Sequence, residues 1–118
     1  MKRNWEVIRD ILTDIENDNL EDRINSLQDE EQELYLRHLE LLVDSGYVIG
    51  ADIEFYHAGY RLNLNCPRLS MEGYDFKDIL QDKRLWNKIQ QMAKDNFVKL
   101  SWVFIKEAIP FVIKEIVK

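Results

Sequence analysis

The residues able to do chemistry are few. The sequence holds one cysteine, Cys66, and two histidines, His38 and His57. A thiolate nucleophile needs a base beside it, and neither histidine stands in a motif that would supply one. Cys66 therefore reads as a small apolar residue near a strand edge. His38 and His57 could share a metal with Asp52 or Glu54, but the spacing matches no known ligand set. His38 reads instead as part of a helix packing face, holding one hydrogen bond. Asp75, Asp78 and Asp82 fall at three- and four-residue steps along one helical stripe. Paired carboxylates do acid–base work only where a pocket drives their pKa values apart. Nothing in the sequence signals such a pocket, so the stripe reads as a solvated face. Gly46, Gly50, Gly59 and Gly73 are scattered, which leaves no glycine-rich phosphate loop. The expectation is a non-enzymatic protein with no metal and no cofactor.

Side chains suited to binding are better represented. Gln28, Gln32, Tyr35 and Arg37 lie on or just before a third helix, and Arg61 and Arg68 lie on the strands that follow. Glutamine can read adenine, and arginine can read guanine or hold phosphate. These six residues are the candidate DNA contacts, with a solvated surface of mixed charge as the competing reading. Trp5 and Trp86 sit on apolar helical stripes and read as core. Trp102 begins a last helix in which Trp102, Ile105, Ile109, Val112 and Ile116 recur three and four apart, an a/d-like seam. Phe104, Ala108 and Phe111 form a second apolar row. Two rows need more cover than one small domain offers, so the seam is the candidate homodimer interface.

The periodicity says what must position these residues. Trp5, Ile8, Leu12 and Ile15 predict a first helix with one buried face, ended by Asn17-Asp18-Asn19. Leu20, Ile24 and Leu27 predict a short second helix. Asp29 is a candidate cap for the third, with Glu30, Glu31 and Glu33 in the first turn, where the helix dipole favours them. Leu34, His38, Leu41 and Leu42 supply its apolar stripe, with Tyr35 and Leu39 alongside. Gly46 belongs at a left-handed stop. The period then changes: residues 47–49, 53–56 and 60–64 read as extended, with His57-Ala58-Gly59 as the turn of a β-hairpin. Pro67 has no amide proton and belongs at an edge or bulge. Ser70 predicts the N-cap of a fourth helix carrying Tyr74, Phe76, Ile79 and Leu80. Leu85, Trp86, Ile89 and Met92 continue helically after a polar step at Gln81-Asp82-Lys83, and Asn96 ends the run. Ser101 predicts the cap of the last helix, which Pro110 should kink or divide.

Composition bounds the rest. At 118 residues, 46% hydrophobic and 32% charged, the chain reads as one domain able to bury a core without staples. Residues 97–118 form its C-terminal packing or dimerisation helix. One cysteine suits a reducing compartment. No signal peptide or membrane span is evident, so a cytoplasmic location is expected. The net charge of -6 is uneven: residues 1–50 hold 5 Lys/Arg against 13 Asp/Glu, a balance of -8, and residues 51–118 hold 11 against 9, a balance of +2. An acidic half repels phosphate.

The order helix, helix, helix, hairpin, helix is that of a winged helix-turn-helix. Arg68-Leu69-Ser70-Met71-Glu72-Gly73 resembles the step by which many winged-helix regulators leave the wing for the next helix. The opening Met1-Lys2-Arg3-Asn4-Trp5-Glu6-Val7-Ile8-Arg9-Asp10-Ile11-Leu12, the segment His38-Leu39-Glu40-Leu41-Leu42-Val43-Asp44-Ser45-Gly46-Tyr47-Val48, and the later Trp86-Asn87-Lys88 resemble a family of small winged-helix proteins of unknown function, frequent in phages and prophages. The resemblance implies an α+β, mainly helical fold: a winged helix with a β-hairpin wing and extra C-terminal helices. It also implies that the cell is a bacterial host, and it lends no catalytic residues. Two readings of function stand. In the first the protein is a phage or prophage regulator that binds DNA as a dimer, two third helices about one DNA turn apart. In the second it is an acidic interaction module that binds and blocks a host or phage protein. The outward face of the third helix separates them: arginine and glutamine there favour DNA, and Glu30, Glu33 and Glu40 favour a protein.

Overall fold

A computed structural model describes residues 3–117, with residues 113 and 115–117 described by their backbone alone. The protein is α+β and mostly helical. Among the described residues the order is α1 (Trp5–Glu16), α2 (Leu20–Ser26), α3 (Asp29–Asp44), β1 (Val48–Tyr56), β2 (Gly59–Leu69), α4 (Met71–Gln81), α5 (Lys83–Asp95) and α6 (Trp102–Val117). The chain divides into two compact units, Met1–Lys77 and Asp78–Lys118.

In the first unit α1, α2 and α3 pack on one another, α3 also packs on β1, and α1 on β2. Ile8, Ile11 and Leu12 of α1 meet a core that includes Leu20 and Ile24 of α2, Leu36, Leu39 and Leu42 of α3, and Val48, Ile53 and Leu69 of the hairpin, all buried. Asn4 caps α1, its side chain accepting from the Glu6 and Val7 amides. His38 supports that cap. It is fully buried; its Nε2 accepts the Asn4 amide proton at 2.9 Å. Its Nδ1 lies 2.8 Å from the Leu34 carbonyl. That pairing requires the neutral ring with its proton on Nδ1, so both ring nitrogens are occupied.

Helices α1 and α3 stop in the same way. At α3 the Gly46 amide donates to Val43 and the Tyr47 amide to Leu42. Gly46 takes φ +82, the left-handed residue of a Schellman motif. At α1 the Asp18 amide donates to Ile15 and the Asn19 amide to Asp14, with Asp18 at φ +56.

Strands β1 and β2 pair antiparallel through a tight turn, and the register breaks between Ile49 and Ala51. Gly50 occupies the break at φ +86. A Cβ there would stand 2.5 Å from the Asn65 carbonyl oxygen and 2.7 Å from that of Cys66. Pro67 lies in the irregular stretch opposite, as its missing amide proton requires. Gly50→Ala is expected to cost about 3 kcal/mol, from left-handed strain and the forced separation of the strands. Urea unfolding checks this; a loss below about 1 kcal/mol would mean that the bulge relaxes freely.

Helix α4 starts at Ser70, whose hydroxyl accepts the Gly73 amide at 3.0 Å, and its buried Lys77 ion-pairs with Glu16. The expected polar step between the fourth and fifth helices is a true break: Asp82 takes extended φ/ψ and its side chain caps α5 at the Leu85 amide, 3.0 Å away.

In the second unit α5 packs on α6. Leu85, Trp86, Ile89 and Ala93 of α5 are buried, as are Ile105, Ala108 and Val112 of α6. Ser101 caps α6 at the Phe104 amide. Pro110 does not divide α6, which runs on through it. Pro110 and Lys106 both face solvent, where water can satisfy the Lys106 carbonyl that the proline leaves without a helical donor.

Two sequence expectations are corrected. Asp29 does not cap α3: it is the first residue inside the helix, entered with a left-handed φ of +47, and the preceding Gln28 occupies the cap position without a side-chain cap bond. The apolar stripe of α3 is also turned by one residue. Tyr35, Leu36, His38, Leu39 and Leu42 are buried, whereas Leu34 is 38% exposed.

Candidate functional site

That turn of α3 decides what the helix offers to solvent. Asp29, Glu30, Glu31, Glu33 and Leu34 face outward, with Arg37 and Glu40 half-buried. Two shallow depressions lie on this face. One is lined by Ser26, Gln28, Asp29, Glu30 and Glu31, the other by Glu30, Glu33, Leu34 and Arg37. The surface is acidic with one apolar foothold, Leu34. The first unit as a whole carries 8 Lys/Arg against 17 Asp/Glu, a balance of -9.

The six residues expected to meet DNA are scattered among structural tasks. Tyr35 leaves the candidate set: it is 4% exposed and its hydroxyl donates to Asp14 at 2.8 Å. Burial first, and then the bond to the Asp14 carboxylate, push the ionisation of this phenol far above its ordinary range. Gln32 turns back to the end of α2, donating to the Ile24 carbonyl at 2.9 Å. Arg37 stacks its guanidinium 3.7 Å from the centre of the Phe55 ring and pairs with Glu33 at 3.5 Å. Arg61 is held on the hairpin by Glu54 at 2.8 Å and Asp52 at 3.9 Å. The Tyr56 hydroxyl bonded to Glu54, and then the Arg61 charge, hold the Glu54 carboxyl below the usual carboxylate range. Arg68 donates to the Cys66 carbonyl at 3.3 Å. Gln28 is exposed beside the acidic face. The structure therefore does not bring the six together as one basic surface; Arg37 and Arg61 have each found a carboxylate of their own.

Other candidates separate as well. Cys66 is exposed at φ +52, and both nitrogens of His38 are committed. Among the described residues no group of three or more His, Cys, Asp or Glu could hold a metal ion. Asp75 and Asp78 are exposed on α4, and Asp82 caps α5. Of the dimer candidates, Ile105 and Val112 are fully buried in the chain's own fold and Trp102 and Ile109 are half-buried. The side chain of Ile116 lies outside the described residues. The outward apolar side chains of α6 are instead Val103, 66% exposed, and Phe111, 65% exposed. No helix among the described residues is long and apolar enough to cross a membrane.

Sequence reasoning passed over one cluster. The outward positions of α5 are Lys83, Arg84, Asn87, Lys88, Gln90, Gln91, Lys94 and one acid, Asp95, and the residue after its cap is Phe97. The signal was the alternation of these polar residues with Leu85, Trp86, Ile89 and Ala93, which leaves cations and amides on one side.

Comparison with known proteins adds kinship. An uncharacterized protein of Haemophilus influenzae is 28% identical over 119 residues, covering 98% of each chain. No solved structure matches. A family model described as "Hypothetical protein (DUF2513)" matches residues 2–99, most of the chain, and the protein belongs to that family.

Proposed function

We propose that this protein is a non-enzymatic interaction module, a winged-helix scaffold whose α3 face captures a basic surface on another protein. The observation that carries the reading is the outward run Asp29, Glu30, Glu31 and Glu33, with Leu34 exposed beside it. In a DNA reader the N-terminal residues of this helix would meet base edges. Here they are carboxylates, and at that distance they repel phosphate. A lysine- or arginine-bearing partner gains what DNA loses: opposite charge steers the encounter, and aliphatic stems can cover Leu34. The three helices, the hairpin and the following helix support the winged-helix scaffold. In the phage or prophage setting that the sequence resemblance implies, such a module would block a host or phage protein, including one that itself binds nucleic acid. The DNA-regulator reading draws support from that scaffold alone.

The test compares the wild type with a Glu30→Lys, Glu31→Lys, Glu33→Lys variant as bait in nuclease-treated bacterial lysate, identified by mass spectrometry and then measured with the purified partner. The expected result is one partner with a basic surface, its affinity lowered roughly hundredfold by the triple reversal. Arg61→Glu with Arg68→Glu should leave capture intact. Selection of a defined duplex from a random DNA pool, lost with Arg61→Glu and Arg68→Glu, would overturn the proposal in favour of the regulator.

A further inference from the structure

Helix α5 ends as α1 and α3 do. The Phe97 amide donates to Lys94 at 3.2 Å and the Val98 amide to Ala93 at 2.9 Å, the two bonds of a Schellman motif. The left-handed residue is Asp18 after α1 and Gly46 after α3, two types that tolerate that conformation. After α5 it is Phe97, at φ +55. A phenylalanine there is strained, and its ring receives no packing in return: it is 97% exposed. Backbone strain of this kind clusters at functional sites.

The helix leading to it has a matching surface. Leu85, Trp86, Ile89 and Ala93 are turned inward. Outward are the cations Lys83, Arg84, Lys88 and Lys94, with the amides Asn87, Gln90 and Gln91 between them. Gln91 donates to Asp95 at 2.7 Å, the one acid within α5. The second unit holds 8 Lys/Arg against 5 Asp/Glu, a balance of +3, although the whole chain is at -6. At physiological ionic strength charges are screened within about 8 Å, so a ligand on α5 responds to this local balance.

Cations along a helix, amides able to bond base edges and an unpacked aromatic at the end form the set that binds single-stranded nucleic acid. We propose that the second unit binds a single strand along α5, phosphates on Lys83, Arg84, Lys88 and Lys94, with a base stacked on Phe97. A duplex hides its base faces and has no use for the exposed ring. An anionic membrane would use the cations and the phenyl ring but not the amides. The proposal does not rest on the acidic face of α3, and either can fail without the other.

The test is fluorescence anisotropy of the full chain with labelled oligothymidylate and oligouridylate of about 16 nucleotides at low salt. Binding is expected, weakening as salt rises. Phe97→Gly should weaken it about tenfold while raising the melting temperature, because glycine removes the ring and relieves the left-handed strain. Phe97→Tyr should bind like the wild type. Arg84→Glu with Lys94→Glu should lose at least about a hundredfold at an unchanged circular dichroism spectrum. Three results would overturn the proposal: no binding to either oligomer, equal binding by Phe97→Gly, or equally tight binding of a duplex of the same length. Binding only to vesicles rich in phosphatidylglycerol would likewise overturn it and assign the surface to a membrane.

Discussion

Asp14→Ala is expected to lower the unfolding free energy by about 3 kcal/mol, a large share of what a domain of this size has. The carboxylate is 4% exposed on α1. It accepts the Tyr35 hydroxyl of α3 at 2.8 Å, the Arg23 Nε of α2 at 3.2 Å and the Arg23 guanidinium again at 3.3 Å. One side chain thus ties the three helices together. Arg23 is 43% exposed, so it can rehydrate when its partner goes, and screening makes its share small. The main loss is the Tyr35 hydroxyl, which stays buried without an acceptor. Asp14→Asn keeps an acceptor for that hydroxyl and should cost roughly half as much. Tyr35→Phe alone should cost about 1 kcal/mol, and Asp14→Ala combined with it should cost less than Asp14→Ala alone, because no buried hydroxyl is then left without an acceptor. Denaturant unfolding of the four proteins closes the cycle. Strict additivity would mean that water reaches the hydroxyl and that the network does not hold the helices.

The same network explains what the sequence made legible and what it did not. Local signals carried well. Ser70 and Ser101 read as caps because a short hydroxyl before an apolar run can meet an orphan amide, and both do. Gly46 read as a left-handed stop, and Pro67 as a bulge residue, because each follows from a conformation that few other residues adopt or a bond that proline cannot make. The face of α3 was not legible to the last residue. Leu34, His38 and Leu41 fit a helical stripe as well as Tyr35, Leu39 and Leu42 do, and hydropathy alone favours leucine over tyrosine. What turns the helix is Asp14, 21 residues away, an acceptor that periodicity cannot see. Gln32 was hidden in the same way, since its partners are carbonyls at the end of α2. Once Tyr35 and Gln32 turn inward, the candidate DNA surface loses two members and the carboxylates are left outside. The criterion separating the two functional readings was visible in the sequence; the rotation that applies it was not.

Gly73→Ala is the second substitution expected to have a large effect, and its cause is space. Gly73 is buried in the first turn of α4. A Cβ there would overlap the Tyr47 carbonyl oxygen and press on the Leu69 side chain. That carbonyl is fixed. It accepts the Ser70 amide at 3.0 Å, while Ser70 in turn caps Gly73. The start of α4 therefore rests directly on the chain leaving α3, and the missing side chain is what allows the approach. Alanine is ordinarily the better helix former by about 1 kcal/mol, so propensity alone predicts a more stable protein. Displacing a backbone carbonyl with its hydrogen bond outweighs that gain, because neither it nor the helix can move without opening the contact of Tyr47 with Phe76, whose ring centres lie 5.0 Å apart. The expected net loss is about 2 to 3 kcal/mol. Ser70→Ala, which removes the cap without adding bulk, should cost only about 1 kcal/mol. Thermal and urea unfolding of the two variants distinguish the causes. If Gly73→Ala proves as stable as the wild type, the first turn of α4 can lift from Tyr47 and the close approach is not what fixes that helix. If it loses far more than Ser70→Ala, the glycine in Arg68-Leu69-Ser70-Met71-Glu72-Gly73 is explained by packing alone, with no ligand required.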